Sequence, residues 1–214
     1  YRPAKIIVAD DRSYPPFAFI DTEGRVRGIT IDIWRLWSQK TGVEVEFQLK
    51  EWDAVLAAVR DGQAEAVGGL FRTPQREELF DFTTPYFTIA TSLFFHQQIQ
   101  GIQGLEDLEG FVVGAVKGDS AEELLRESYP HVKLKTYPGA EDLVKAALAN
   151  EIKVFVADTQ VARFYLAKLE SGVEFRQAVN PVAVNELYAG IRKNNYPLLA
   201  LLQWGFDQIS PQEK

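Results

Sequence analysis

Apolar and polar positions along the chain alternate between two periods, and the switches between them mark out elements. The run KIIVADD at residues 5–11 is continuously apolar until its two terminal acids, which predicts a buried strand leading into the turn RSYPPF. In ITIDIWRLWSQKTG, Ile33, Trp34 and Trp37 recur at helical spacing and Gly42 supplies the stop. VEVEFQL alternates strictly, as a strand with one buried face does. WDAVLAAVRDG is amphipathic at helical period, with Asp53 expected as N-cap and Gly62 as terminator. AEAVGG reads as a short strand feeding a helix that opens at Thr73 and Pro74, a hydroxyl N-cap followed by proline at the first helical position. The order is β-α-β-α-β, which predicts an α/β sheet with helices on both faces.

The pattern then restarts. GLEDLEG predicts a short charged helix, FVVGAV a strand, DSAEELLRESYP a helix, VKLKTY a strand, AEDLVKAALANE a helix, KVFVAD a strand and TQVARFYLAKLE a helix. Between the two series lies TIATSLFFHQQIQGIQ, an extended segment expected to be a crossover, and the final third adds the strand ELYAGIRK and the helix YPLLALLQWGFDQIS. Two α/β lobes follow, with a ligand cleft expected where strand ends and helix N-termini meet. No solenoid period or low-complexity tract interrupts them.

Composition narrows the chemistry. The chain has 214 residues, 46% hydrophobic and 25% charged, enough for one large domain or two small ones. Its net charge of -7 argues against nucleic acid or an anionic membrane as partner, because both require a basic face. There is no cysteine, and the two histidines, His96 and His131, stand far apart, so neither a metal centre nor a cofactor is expected. The lack of any methionine, even at the start, suggests a processed or excised product. No apolar run approaches the ~18 residues of a membrane span.

Four features could carry chemistry, and each admits a plain reading beside the functional one. Arg76 falls in the first turn of its helix, where the macrodipole disfavours a cation by roughly 0.3–1 kcal/mol. It is either a surface partner of Glu78, Asp81 or another nearby acid, or half of an anion site shared with the helix N–H groups. Ser120, with Glu123 three residues on, is either a capping box or, with the Gly118–Ala121 backbone, a second anion cradle; no P-loop lysine follows. Asp158 ends a buried strand, as an N-cap or as a cleft acid for an ammonium, and Asp10 and Asp11 end the first strand likewise. Tyr14, Phe17, Trp52 and Phe71 lie at element junctions, as core or as an aromatic wall.

Taken in order, YPPFAFIDTEGRVRGITIDI, WDAVLAAVRDGQAEAVGGLFRTPQREELFDFTTPY, VGAVKGDSAEELL, VFVADTQVARFYL and ELYAGIRKNNYPLLALLQWGFDQIS resemble bacterial extracellular solute-binding proteins of family 3. The resemblance runs through essentially the whole chain. It implies two Rossmann-like α/β lobes of the periplasmic binding protein-like II class, joined by a two-crossing hinge, with lobe 1 at 1–88 plus 186–214 and lobe 2 at 90–185. The hinge is expected near 88–92 and 183–187. Arg76, in TPQR, resembles the family arginine that takes a ligand α-carboxylate. Ser120 sits at the position of an assisting hydroxyl, and Asp158 resembles the acid that takes the α-ammonium. Asp11, Tyr14 and Trp52 match positions that line the side-chain pocket. The chain departs from amino-acid binders at Gly69, Leu70 and Phe71, where a hydroxyl contact is lost and a ring gained, and GLFRTPQRE is more similar to sensor domains of membrane histidine kinases and diguanylate cyclases.

That resemblance implies a periplasmic or extracytoplasmic location and a small carboxylate-bearing ligand, an amino acid foremost. The partner would be a membrane-anchored parent receptor or, for a free binding protein, the permease of an ABC importer. A cyclohexadienyl dehydratase-like enzyme is the third reading; the domain itself is expected not to be an enzyme.

Overall fold

The computed structural model describes residues 1–214. Its first elements are β1 (Lys5–Asp11), β2 (Ser13–Tyr14), β3 (Ala18–Ile20), β4 (Val26–Arg27), α1 (Ile29–Thr41), β5 (Glu44–Lys50), α2 (Trp52–Arg60), β6 (Ala66–Phe71), α3 (Pro74–Glu77), β7 (Phe80–Phe82) and β8 (Phe87–His96). After a single 3-10 turn at Leu105–Asp107 come β9 (Val112–Val116), α4 (Ser120–Ser128), β10 (Lys133–Tyr137), α5 (Ala140–Leu148), β11 (Val154–Asp158), α6 (Thr159–Lys168), β12 (Phe175–Gln177), β13 (Ala183–Arg192) and α7 (Tyr196–Asp207). Contacts divide the chain into two compact units. Unit 1 is Tyr1–Arg12, Pro16–Thr88 and Glu186–Lys214; unit 2 is Ser13–Pro15 and Ile89–Asn185.

In unit 1 the strand order is β13-β6-β1-β5, and β7 also pairs β13. The strand β1 lies parallel to β5 from Lys5 opposite Glu44 to Asp11 opposite Lys50, and parallel to β6 on its other edge. Flanked on both sides, it is apolar throughout except at its ends, as a central parallel strand must be. The helix α1 turns Ile33, Trp34 and Trp37 inward against Leu198, Leu202 and Phe206 of α7. The Trp34 ring meets Phe206 edge-on at 5.0 Å.

In unit 2 the order is β10-β9-β11-β8, with β12 on β8. The strands β9, β10 and β11 are parallel to their neighbours in that set, whereas β8 runs antiparallel to β11. Its core gathers Leu93, Val113, Leu125, Val154 and Val156. These apolar strand ends place Asp158 and Thr91 opposite each other in register.

Several local expectations give way to nearby competitors. The flank of α2 is Glu51, without a side-chain cap, and Asp53 lies inside the first turn. The cap of α4 is Asp119, which accepts from the Ala121 N–H, so Ser120 is the first helical residue rather than the cap. The predicted helix at GLEDLEG is only the 3-10 turn. Residues 13–15, expected in an unbroken first lobe, group with unit 2. The reason is two hydroxyls: Ser13 bonds the Tyr165 hydroxyl at 3.1 Å and accepts from the Glu141 N–H at 3.0 Å, while Tyr14 donates to Asp158.

Candidate functional site

Unit 1 presents Arg76. Thr73 caps α3 as its sequence requires, its hydroxyl accepting from the Arg76 N–H at 3.2 Å, with Pro74 at the first helical position. Since α3 has only four residues, Arg76 lies in its first and last turn at once, and the expected macrodipole penalty is correspondingly small. The structure does not place Arg76 on the surface. Arg76 is 3% exposed, its Nη1 donates to the Phe71 carbonyl at 2.9 Å, and its guanidinium lies 5.5 Å from the centre of the Trp52 ring. Asp81 instead accepts from the Asn194 N–H. A guanidinium so gripped is held in one orientation, and the cation–π contact contributes about 0.5–2 kcal/mol. Trp52 and Phe71, both buried, therefore support Arg76 whatever else they touch.

The same unit holds an acid that the sequence placed only at a strand end. Asp10 is 2% exposed; one oxygen accepts from the Asp11 N–H at 2.8 Å, and the other has no hydrogen-bond partner. Burial pushes the Asp10 carboxyl well above the usual carboxylate range; the Asp11 N–H opposes this and the Asp11 charge reinforces it. The carboxyl fits because residue 68 is glycine: a Cβ there would stand 2.3 Å from Asp10 Oδ2. The Gly68 carbonyl accepts from Trp34 Nε1 and from the Tyr86 hydroxyl. Burial first, then the Asp10 charge, raises the Tyr86 phenol well above its ordinary value, with Trp34 opposing. Asp11 is itself buried. At Gly69 an added Cβ would meet Leu187 at 3.0 Å, so this glycine serves the packing of β6 on β13.

Unit 2 presents Asp158. It flanks α6 as an N-cap would, yet its side chain makes no cap bond. Its Oδ1 accepts from the Thr91 hydroxyl at 2.6 Å and its Oδ2 from the Tyr14 hydroxyl at 2.5 Å, at 6% exposure. Tyr14, expected in a side-chain pocket of the first lobe, is thus a partner of Asp158. Thr91 was not singled out from sequence. Its signal was present as the polar pair Thr91 and Ser92 inside the otherwise apolar IATSLFF. Ser92 and Thr159 bond each other at 2.5 Å, continuing the hydroxyl row.

The Ser120 hydroxyl lies 3.2 Å from Asp119 Oδ1, to which it donates. The proposed cradle around it is filled from within, since the Gly118 N–H donates to Glu122 and the Ala121 N–H to Asp119. With its one proton directed at Asp119, the Ser120 hydroxyl keeps only its acceptor lone pairs for any other partner. No cluster of metal-ligating side chains is present among these residues.

With these groups in place, comparison with known proteins is decisive on family. Residues 6–214 match the bacterial extracellular solute-binding proteins, family 3. The chain belongs to that family. It is 28% identical to the arginine-binding extracellular protein ArtP of Bacillus subtilis over 164 residues, covering 75% of this chain and 64% of ArtP. It is 25% identical to the L-cystine-binding protein TcyJ of Escherichia coli K12 over 213 residues, covering 98% of this chain and 77% of TcyJ. Among solved structures, a histidine kinase sensor domain with similarity to periplasmic binding proteins superposes with a TM-score of 0.90 at 24% identity, over 96% of this chain and 90% of that one. The fold of this family 3 chain is the mixed α/β periplasmic-binding-protein type II fold. No helix in it is long and apolar enough to cross a membrane.

Proposed function

We propose that this family 3 chain binds a small zwitterion, an α-amino acid, outside the cytoplasm, as the ligand-sensing domain of a membrane receptor. The observation that carries the reading is the buried guanidinium of Arg76, fixed by the Phe71 carbonyl and the Trp52 ring. It takes the ligand carboxylate by charge-assisted hydrogen bonds. Asp158 takes the ammonium, and Ser120, Asp11 and the Gly69–Phe71 backbone complete the ligand's surroundings. Binding at Arg76 and Asp158 together draws the two units closed about a hinge near 88–92 and 183–187, and that motion is the output. The ring at Phe71, in a stretch where the amino-acid binders that the chain resembles commonly carry a small residue or serine, favours the sensor.

A second reading, a free binding protein delivering amino acids to an ABC importer, is favoured by the similarity to TcyJ over nearly the whole chain. A dehydratase-like enzyme, the third reading, would use a cleft carboxylate as proton donor, a role that does not suit Asp158. A carboxylate accepting from two hydroxyls is arranged as an acceptor and not as a proton donor. Titration calorimetry with a panel of amino acids, dicarboxylates and sugars tests the reading. Binding of an amino acid that is lost in Arg76→Ala supports it, and a response to sugars alone rejects it. Output of the parent receptor, followed alongside binding, separates sensor from importer.

A further inference from the structure

The two hydroxyl donors on Asp158 have a role that neither the family comparison nor the aromatic-wall expectation assigns. Tyr14 Oη and Thr91 Oγ1 reach different oxygens of one carboxylate, at 2.5 and 2.6 Å. Bonds this short are typical of O–H donors to an ionised acceptor. An ionised carboxylate is acceptor-only, with room for about four donors, so two neutral hydroxyls, one on each oxygen, fix its plane without themselves neutralising it. Neither donor is loosely held. Thr91 is 2% exposed and stands opposite Asp158 in the β8–β11 ladder. Tyr14 is carried by the Ser13–Pro15 segment, which Ser13 pins to Tyr165 of α6 and to the Glu141 N–H of α5.

We infer that Tyr14 and Thr91 are positioning residues that hold Asp158 in the one orientation able to select an ammonium group, and so make the site specific for α-amino acids over their des-amino analogues. The inference rests on Asp158 as the ammonium acceptor. Tyr14 then acts through Asp158, with its hydroxyl rather than with its ring. The ligand's ammonium adds donors to a carboxylate that is already oriented, so little order remains to be imposed on binding. With one hydroxyl removed, the carboxylate turns, and only ligands that need its charge in that place suffer.

The test compares two probe pairs, L-glutamine with glutaramate and L-arginine with its des-amino analogue, on the 214-residue chain. Calorimetry is run on the wild type, Tyr14→Phe, Thr91→Val, Thr91→Ser and Asp158→Asn. The expected result is a roughly tenfold loss for the amino acid in Tyr14→Phe and Thr91→Val, the scale of one hydrogen bond to a charged group. The des-amino partner should change by less than about twofold on the same argument. Thr91→Ser, which restores the hydroxyl, should recover most of the loss. A second readout needs no ligand: the Tyr14 hydroxyl proton in a bond this short should give a downfield proton resonance, absent in Tyr14→Phe and displaced in Asp158→Asn. Equal losses for both members of a pair would make the two residues merely structural and overturn the inference. So would an amino-acid preference lost in Asp158→Asn but intact in Tyr14→Phe and Thr91→Val. If Asp158→Asn leaves the preference unchanged, or neither amino acid binds the wild type, the reading of Asp158 itself is wrong and the inference falls with it.

Discussion

Replacing Asp10 by asparagine should change how stability depends on pH more than it changes stability itself. Asp10 is 2% exposed, one of its oxygens has no hydrogen-bond partner, and burial raises its carboxyl well above the usual range. For an acid of this kind the folded state retains a proton that the unfolded chain releases near pH ~3.9. Between that pH and the folded-state value, the folded protein binds about one proton more than the unfolded one. Stability therefore falls as pH rises through this window, by about 1.4 kcal/mol per pH unit, and levels off once Asp10 ionises in the folded state. Below the window the contribution is fully present. An asparagine side chain cannot ionise, so the profile of the Asp10→Asn variant should lack this descent. Oδ2 has no hydrogen-bond partner, and asparagine puts two amide donors there where the neutral acid puts one, the extra unmet donor costing about 1–3 kcal/mol. Asp10→Asn should thus be the less stable protein near pH 4 and should gain on the wild type as pH rises. Urea unfolding at half-unit pH steps measures this, the difference between the two profiles cancelling titrations that are not coupled to Asp10, such as that of Glu213, lowered to about 2 by the Ser210 N–H and Lys40. Parallel profiles from pH 4 to 8 would show that Asp10 is ionised in the folded protein and refute the reasoning.

Three further outcomes are expected. Arg76→Ala should weaken amino-acid binding by roughly 2–5 kcal/mol in calorimetry, and Arg76→Lys should recover little of it, because lysine cannot address the Phe71 carbonyl and a carboxylate with one planar fork. Gly68→Ala should lower stability in urea by about 1–3 kcal/mol from the clash with Asp10, and Asp10→Ala in the same chain should relieve part of it. Gly205→Ala, which propensity alone would make about 1 kcal/mol more stable, should destabilise in thermal unfolding, since its Cβ would stand 2.2 Å from Trp37 Nε1; a raised Tm would refute this.

What could be read from sequence divides along physical lines. The strands β1, β9 and β11 and the helices α1 and α5 were legible because each buries a full apolar face, and burial writes a period into the chain. Thr73–Pro74 was legible because a cap is a local interaction. Short pieces such as β2 and β7 left no period to detect. The cap of α4 was misplaced by one residue because Asp119 and Ser120 are both competent, and only geometry chooses between them. The partners of Asp158 lie 144 and 67 residues away in the chain, and no local pattern encodes such a meeting. The carboxylate of Asp10 was read as one more strand end, since its significance comes from the missing side chain at residue 68.

The charges of Arg76 and Asp158 bear on why a zwitterion, and not a simple carboxylate, would operate a two-state domain. Each is almost fully buried in its own unit, and on the proposed reading a complementary ligand charge meets each of them there. Tight binding alone does not shift a conformational equilibrium; only the difference in affinity between the states does. Moving a domain from mostly open to mostly closed takes about 5.5 kcal/mol of such difference. A hydrogen bond to a charged group contributes about 1.5–3 kcal/mol. A ligand carboxylate bound at Arg76 alone gains its energy in whichever state Arg76 occupies, since the arginine's supports, Phe71 and Trp52, belong to the same unit. On the proposed reading only the contacts made with Asp158 are available for discrimination, and two ammonium donors, filling the places that Tyr14 and Thr91 leave, approach the required scale where a single hydroxyl does not. On the proposed reading, a des-amino ligand therefore occupies the site without closing it and acts as an antagonist.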